Sequence, residues 1–358
     1  MPVFNRDTMT YFPLKERISK VTISETCIAE DSWDHPDLAS LAEKTDLIAG
    51  EIIRAREKGA SVMCAFGAHA IKNGLGRLLG KMLGNGWFTH LASNGAAVIH
   101  DWEFAFLGKS SEDVRANAAE GSFGAWEETG LYINLALAVG AYKGLGYGSS
   151  AADMIHNNGL HIPERGELLD ARTSSALDLH ELIEALDIPS GFLSIPHPFS
   201  AYSLLAATAQ ANRPFTCHPM FGHDIIYTHK ANRGAAIGRT AERDFLEYVS
   251  SVAGLENGVY LSVGSAVMSP MIFEKSLSMA RNAAGGLDTI MNCKIHVVDL
   301  QEATWNWAEG EPPPDNPAYY LRFMKTFNRM GCPVDYTCAD NRNFFVSLYR
   351  SLEKRSNP

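Results

Sequence analysis

SVMCAFGAHAIKNGLGRLLGKMLGNGWFTHLASNGAAVIHDWEFAFL, residues 61–107, contains two short apolar runs, Ser61–Phe66 and Trp87–Ala92. Each run leads into a small-residue turn and then a helical pattern. The turns, Gly67-Ala68-His69 and Ser93-Asn94-Gly95, offer bare backbone and polar tips where the predicted strands end. In an open α/β sheet, ligands bind at such ends. The apolar spacing predicts a helix over Leu38–Lys58, a strand over Val62–Phe66 and a helix over Ile71–Leu83. A strand over Phe88–Ala92 and a helix over Ala97–Phe106 follow. Strand–helix–strand–helix order predicts a parallel sheet with helices on both faces.

Farther along, Ser110-Ser111-Glu112-Asp113 reads as a helix start, Trp126–Ala141 as a long apolar helix, and 149–188 as helical with breaks. Strands are expected at Phe192–Ile195, Phe215–His218, Val259–Val263 and Thr289–Cys293. Helices are expected at Tyr202–Ala211, Thr240–Ala253, Met271–Ala284, Tyr319–Met330 and Phe344–Leu352. No linker interrupts this pattern. The expected organisation is an N-terminal arm (1–35) and a single α/β domain (36–358) with a helical insertion around 110–190.

The chain of 358 residues has room for a sizeable core, and its 46% hydrophobic and 20% charged residues are ordinary for a globular enzyme. A net charge of −10, with no Lys/Arg block, argues against nucleic acid or an anionic membrane as partner. No signal-peptide layout and no apolar run of about 20 residues occurs, so a cytoplasmic location is expected. Six scattered cysteines without CxxC pairing read as reduced thiols.

Three turns of the same kind, at Gly67, at Ser93-Asn94-Gly95-Ala96 and at Gly264-Ser265-Ala266, favour a nucleotide-like ligand, although GxGxxG is absent. On a helix, His100 and Glu103 share a face while Asp101 is turned from them by about 100°. That cluster has the residue types for general acid–base chemistry. Cys217-His218-Pro219-Met220-Phe221-Gly222-His223-Asp224 is the densest polar group after a strand. Imidazole and carboxylate are common metal ligands, but this spacing matches no zinc signature. Adjacent strand residues face opposite ways, which argues against a Cys217–His218 dyad.

The runs FGAHAIKNG (66–74), WFTHLASNGAAVIHDWEFAF (87–106), PFTCHPMFGHDII (214–226) and GVYLSVGSAVMSPMIFEK (258–275) resemble, in order, motifs of the deoxyhypusine synthase family. The resemblance implies a Rossmann-like NAD-binding fold and a homotetramer. It places Gly67, Ala68, His69, Ser93, Asn94, Gly95, Ala96, Gly264, Ser265 and Asp288 at the cofactor. Gly222 and Asp224 fall on the family's Gly-Asp. His100-Asp101-x-Glu103 also resembles a motif in the dinucleotide-binding half of certain archaeal and cyanobacterial ornithine cyclodeaminases.

The departures bear on the reaction. The family's imine-forming lysine is replaced by Met268, and a thioether cannot form an imine. His218 stands where an aspartate is expected, and Ile99-His100 where two glutamates are. The sequence thus predicts an NAD-binding enzyme that works by hydride transfer on a small polar substrate, an amine among the options, and not a deoxyhypusine synthase. His100, Asp101, His218, His223 and Asp224 are the catalytic candidates. Two alternatives stay open: a metal-dependent hydrolase using His218, His223 and Asp224, and a non-catalytic ligand-binding homologue.

Overall fold

The computed structural model describes residues 3–286, 289–303 and 305–356. Its centre is a six-stranded parallel sheet: β1 (Val62–Phe66), β2 (His90–Ser93), β3 (Phe215–Cys217), β4 (Val259–Val263), β5 (Lys294–Asp299) and β6 (Val334–Cys338). The spatial order is β6-β5-β4-β1-β2-β3. This is the order of a doubly wound dinucleotide-binding sheet.

The strands are apolar on both sides because helices cover both sides. Val62, Cys64 and Phe66 enter one hydrophobic layer while Met63 and Ala65 enter the other. The first layer is built with α1 (Asp37–Glu57), α2 (Gly76–Gly84), α3 (Gly95–Leu107), α4 (Glu127–Lys143), α5 (Tyr147–Asn157) and α6 (Leu204–Ala211). The second uses Tyr248 and Val252 of α7 (Gly234–Ala253) and Phe273 and Leu277 of α8 (Met268–Ala283). A last helix, α9 (Asn341–Ser356), returns to the first layer through Phe344, Phe345 and Leu348. Among the described residues no helix is long and apolar enough to cross a membrane.

Several expectations need correction. The helix expected over Ile71–Leu83 is broken into His69–Lys72 and α2, because Gly74 turns at φ +82° against the Thr26 carbonyl, where a Cβ would overlap. Phe192–Ile195 does not join the main sheet; Gly191–Ser194 pairs antiparallel with Gly159–Ile162, a strand hidden among helical signals. Thr289–Cys293 precedes β5 instead of forming it. The edge strand β6 escaped notice because its residues are only half-buried and Asp335 on it pairs with His296 and Lys44. Cys293 and Cys332, 39 residues apart, form a disulfide. They lie just before two paired parallel strands, a proximity that spacing along the chain does not reveal. Cys27, Cys64, Cys217 and Cys338 are free thiols.

Candidate functional site

Strand order reverses between β1 and β4, so the loops leaving their carboxyl ends diverge and open a crevice. Gly67 donates its N–H to the Val263 carbonyl at 3.1 Å, and a Cβ on Gly67 would overlap the Gly264 carbonyl oxygen. Only glycine lets these two turns meet, and their meeting forms the crevice floor.

Two adjoining cavities occupy the crevice. The first, about 240 Å³, is lined by Gly67, Asn94, His218, Gly264, Ser265 and Met268 among others. The second, about 260 Å³, is lined by Lys72, Ala96, His100, Glu112 and neighbours. His223 and Asp224 line both and mark their junction. Together the two lobes reach the size of small-ligand sites. A separate hollow of about 390 Å³ near Asp153, His156, Arg213 and Glu247 adjoins the start of β3, away from these strand ends.

Asp224 is the least satisfied group in the crevice. Its Oδ2 is buried without a hydrogen-bond partner among the described residues. Burial pushes its carboxyl up to about 6. The carboxylate rests on Gly95, where any Cβ would overlap it. An anion so placed at the first turn of α3 enjoys the helix dipole but repels a second anion. A ligand phosphate over Ser93–Ala96 would meet that charge whenever Asp224 is ionised.

His100 is set by its neighbours. Glu103, buried, is held charged: against the burial that would raise it, the Arg17 guanidinium keeps its carboxyl below the usual range. Arg17 reaches both oxygens at 2.7 Å, and Thr129 donates to one at 2.9 Å. A carboxylate only accepts, so Ser110 donates to Glu103 (2.6 Å) and has no proton left for His100 Nδ1 at 2.7 Å. His100 therefore carries its proton on Nδ1 and presents Nε2 as a lone pair. Burial draws its imidazolium down to about 4, so the ring is neutral at pH 7.

His218 lines the first cavity and bonds Thr216 Oγ1 through Nε2 at 3.0 Å; burial lowers it to about 3. His223 is exposed at the mouth. Cys217, next to His218, points into the opposite hydrophobic layer, as strand alternation requires.

Other expected site residues lie elsewhere. Asp101 does not face the crevice: it accepts from Ser203 Oγ (2.5 Å) and from the backbone N–H of Leu204 (2.8 Å) and Leu205 (3.0 Å), capping α6. The Ser93 hydroxyl is spent on the Phe66 carbonyl at 2.6 Å, clamping β2 to β1. Ala68 and the exposed His69 line neither cavity. Asp288 lies outside the described residues. Gly67, Asn94, Ala96, Gly264 and Ser265 do line the crevice, and Gly95 backs Asp224. Asn94 also caps α3, accepting from Ala97 N–H at 3.1 Å. Lys72 and Glu112 were not anticipated, since nothing local distinguishes them from surface charges. Among the described residues no three His, Cys, Asp or Glu side chains gather to hold a metal, so the hydrolase alternative lacks a ligand set there.

No family model matches this chain, and no curated protein matches its sequence. Solved structures similar to it include a protein assigned as LOR/SDH from Methanococcus maripaludis S2 (TM-score 0.44, 14% identity, 92% of this chain and 73% of that one). AgrE, solved with ornithine and NAD+, gives TM-score 0.44 and 14% identity over 91% of this chain, which spans 34% of AgrE. A protein assigned as deoxyhypusine synthase from Entamoeba histolytica gives 0.39 and 11%, over 92% of this chain and 96% of that one. Similarity this distant assigns no chemistry to this chain.

Proposed function

We propose that this chain is an NAD-binding enzyme that transfers hydride to or from a small polar substrate, an amine being the class that suits the crevice best. The observation that carries the reading is the two-lobed crevice at the point where strand order reverses, with an unpartnered carboxylate at the junction of its lobes. Gly67, Gly264 and Ser265 would hold the cofactor in the first lobe, where backbone is bare and Gly264 has open space around its Cα. NAD supplies the hydride acceptor or donor.

The rest is the work of side chains. Asp224, near its midpoint at pH 6, has one oxygen free to receive an N–H from an ammonium or to take a proton. His100 offers a fixed lone pair in the second lobe, held by Ser110. Lys72 places a positive charge beside it, suited to an anionic group on the same substrate. Met268 at the cavity wall excludes an imine with the protein at that position. A homotetramer belongs to the same proposal.

Calorimetric titration of the ligand-free protein with NAD+ and NADH tests the reading. Saturable binding is expected, weakened by Asp224→Arg, which fills the junction. No heat at millimolar cofactor overturns it.

A further inference from the structure

β2 pairs with β3 so that Ala92 lies opposite Thr216. The His218 N–H extends this ladder to the Ser93 carbonyl at 2.8 Å. Alternation then puts His90, Thr216 and His218 on one side of the sheet, under Tyr248 of α7, whose ring meets both imidazoles edge-on. Met63, Ala65 and Ala92 make the rest of this layer apolar.

Through it runs an unbroken chain of hydrogen bonds. Ser251 Oγ lies 2.7 Å from His90 Nδ1, His90 Nε2 lies 2.8 Å from Thr216 Oγ1, and Thr216 Oγ1 lies 3.0 Å from His218 Nε2. His90 and Thr216 are fully buried, Ser251 is half-buried at one end, and His218 lines the crevice at the other.

Thr216 has one proton and stands between two ring nitrogens, so it can donate to only one of them. If it donates to His218 Nε2, His90 Nε2 must carry a proton, and His218 shows Nδ1–H to the crevice. If it donates to His90, His218 Nε2 carries the proton and Nδ1 shows the crevice a lone pair. The two imidazoles therefore hold opposite tautomers, and the far end of the chain decides whether the crevice meets a donor or an acceptor.

We propose that Ser251, His90, Thr216 and His218 form a proton relay between the crevice and the solvent side of α7. The proposal rests on the crevice being the reaction site. When substrate gives hydride to NAD+ and releases a proton, His218 Nδ1 takes that proton. His218 passes its Nε2 proton to Thr216, Thr216 passes its own to His90 Nε2, and His90 passes its Nδ1 proton to Ser251. Ser251 releases its former hydroxyl proton to water. Each imidazole gains a proton on one nitrogen and loses one from the other, and each hydroxyl oxygen exchanges one O–H bond for another, so the only net change is one proton passed from substrate to solvent. No charge is left in the apolar layer. The reverse sequence delivers a proton for reduction. Burial draws both imidazoles down to about 3, so neither stores a charge at neutral pH, and the relay requires none. His218 is the group that meets substrate; the other three act through it.

The test is nitrogen NMR of the full-length protein labelled at its histidine rings, without cofactor. Expected are neutral His90 and His218 in opposite tautomers, both arrangements populated, with the His90 ring proton exchanging with water. Ser251→Ala removes the acceptor for His90 Nδ1–H, and an N–H is tolerated unpaired less well than a lone pair, so the His90 proton settles on Nε2 and His218 shifts toward Nδ1–H, with loss of His90 exchange. Thr216→Val uncouples the two rings, and Thr216→Ser restores the coupling. Like tautomers, a single frozen arrangement, or a His218 ring indifferent to Ser251→Ala in folded protein overturns the relay. None of these readouts uses NAD, so an absence of cofactor binding removes the hydride reading separately.

Discussion

Asp101 on α3 and Asp224 at the crevice are the same residue type, and burial raises both carboxyls to about 6. Their surroundings differ in kind. Three donors converge on Asp101, whereas the Oδ2 of Asp224 has none. Asp244 falls between them: Gly148 and Cys217 donate to Oδ2, Oδ1 has no partner, and the carboxyl rises to about 8. Asp244 lines neither crevice cavity, so its spare oxygen faces packed chain and keeps its proton. A shifted carboxyl therefore marks a site only where a spare lone pair also faces open volume. Asp101 is spent on structure, and so is the Arg17–Glu103 pair that walls the second lobe, whereas Asp224 at the junction of the lobes is held in reserve.

The largest test of this contrast is Glu103→Ala. It strands the Arg17 guanidinium, 1% exposed at its side chain, and removes the acceptor for Ser110 and Thr129. Breaking one side of a buried pair costs about 3–5 kcal/mol. Urea denaturation at pH 7 should show a loss of that size. A loss below about 1 kcal/mol would place Glu103 with the reserved groups instead.

Asp101→Ala comes next. It leaves the Ser203 hydroxyl and two N–H groups of α6 without an acceptor, at a cost of roughly 2–3 kcal/mol. Calorimetry on the folded variant should give cofactor affinity equal to that of the parent. A selective loss of affinity without a loss of stability would reverse the roles assigned to Asp101 and Asp224.

How far these roles were legible differs between fold and site. Alternation and turn chemistry were enough for β1, β2 and β4 and for the crevice between them, because buried parallel strands read as short apolar runs. Helical spacing correctly separated Asp101 from His100 and Glu103. It gave no sign of which face was the working one, since that depends on where α6 docks. His90 and Thr216 passed unnoticed because their meeting needs the β2–β3 register, and the strands are 125 residues apart from His90 to Phe215. Cys293–Cys332 was hidden for the same reason.

Asp224→Asn reverses the sign of the first two predictions. A folded-state carboxyl at about 6, against an ordinary 3.8, means that the native protein keeps its proton to higher pH than the unfolded chain. Asp224 therefore costs nothing below about pH 4, and destabilises progressively as pH rises through about 6. The amide removes that penalty, so the variant should gain about 2 kcal/mol at pH 8 and nothing at pH 4. Turnover of any substrate should fall in the same protein, the trade expected where a strained group serves function. Urea midpoints at the two pH values, read beside activity, decide it; stabilisation that is equal at both would mean that the carboxyl is not the source.

The smallest effect separates two duties of one side chain. Asn94 caps α3 through Ala97 N–H and also lines the first lobe. Asn94→Ala removes both duties and should cost about 1 kcal/mol of stability. Asn94→Asp keeps a capping oxygen at the helix start, so stability should stay within about 0.5 kcal/mol of the parent. It also sets a second negative charge near Asp224, which an anionic cofactor must approach, so NAD affinity should fall further in Asn94→Asp than in Asn94→Ala. The two variants thus rank oppositely in denaturation and in calorimetry. If they rank alike, Asn94 belongs with Asp101 among the residues spent on structure, and the reserved face of the crevice contracts to Asp224, His218 and His100.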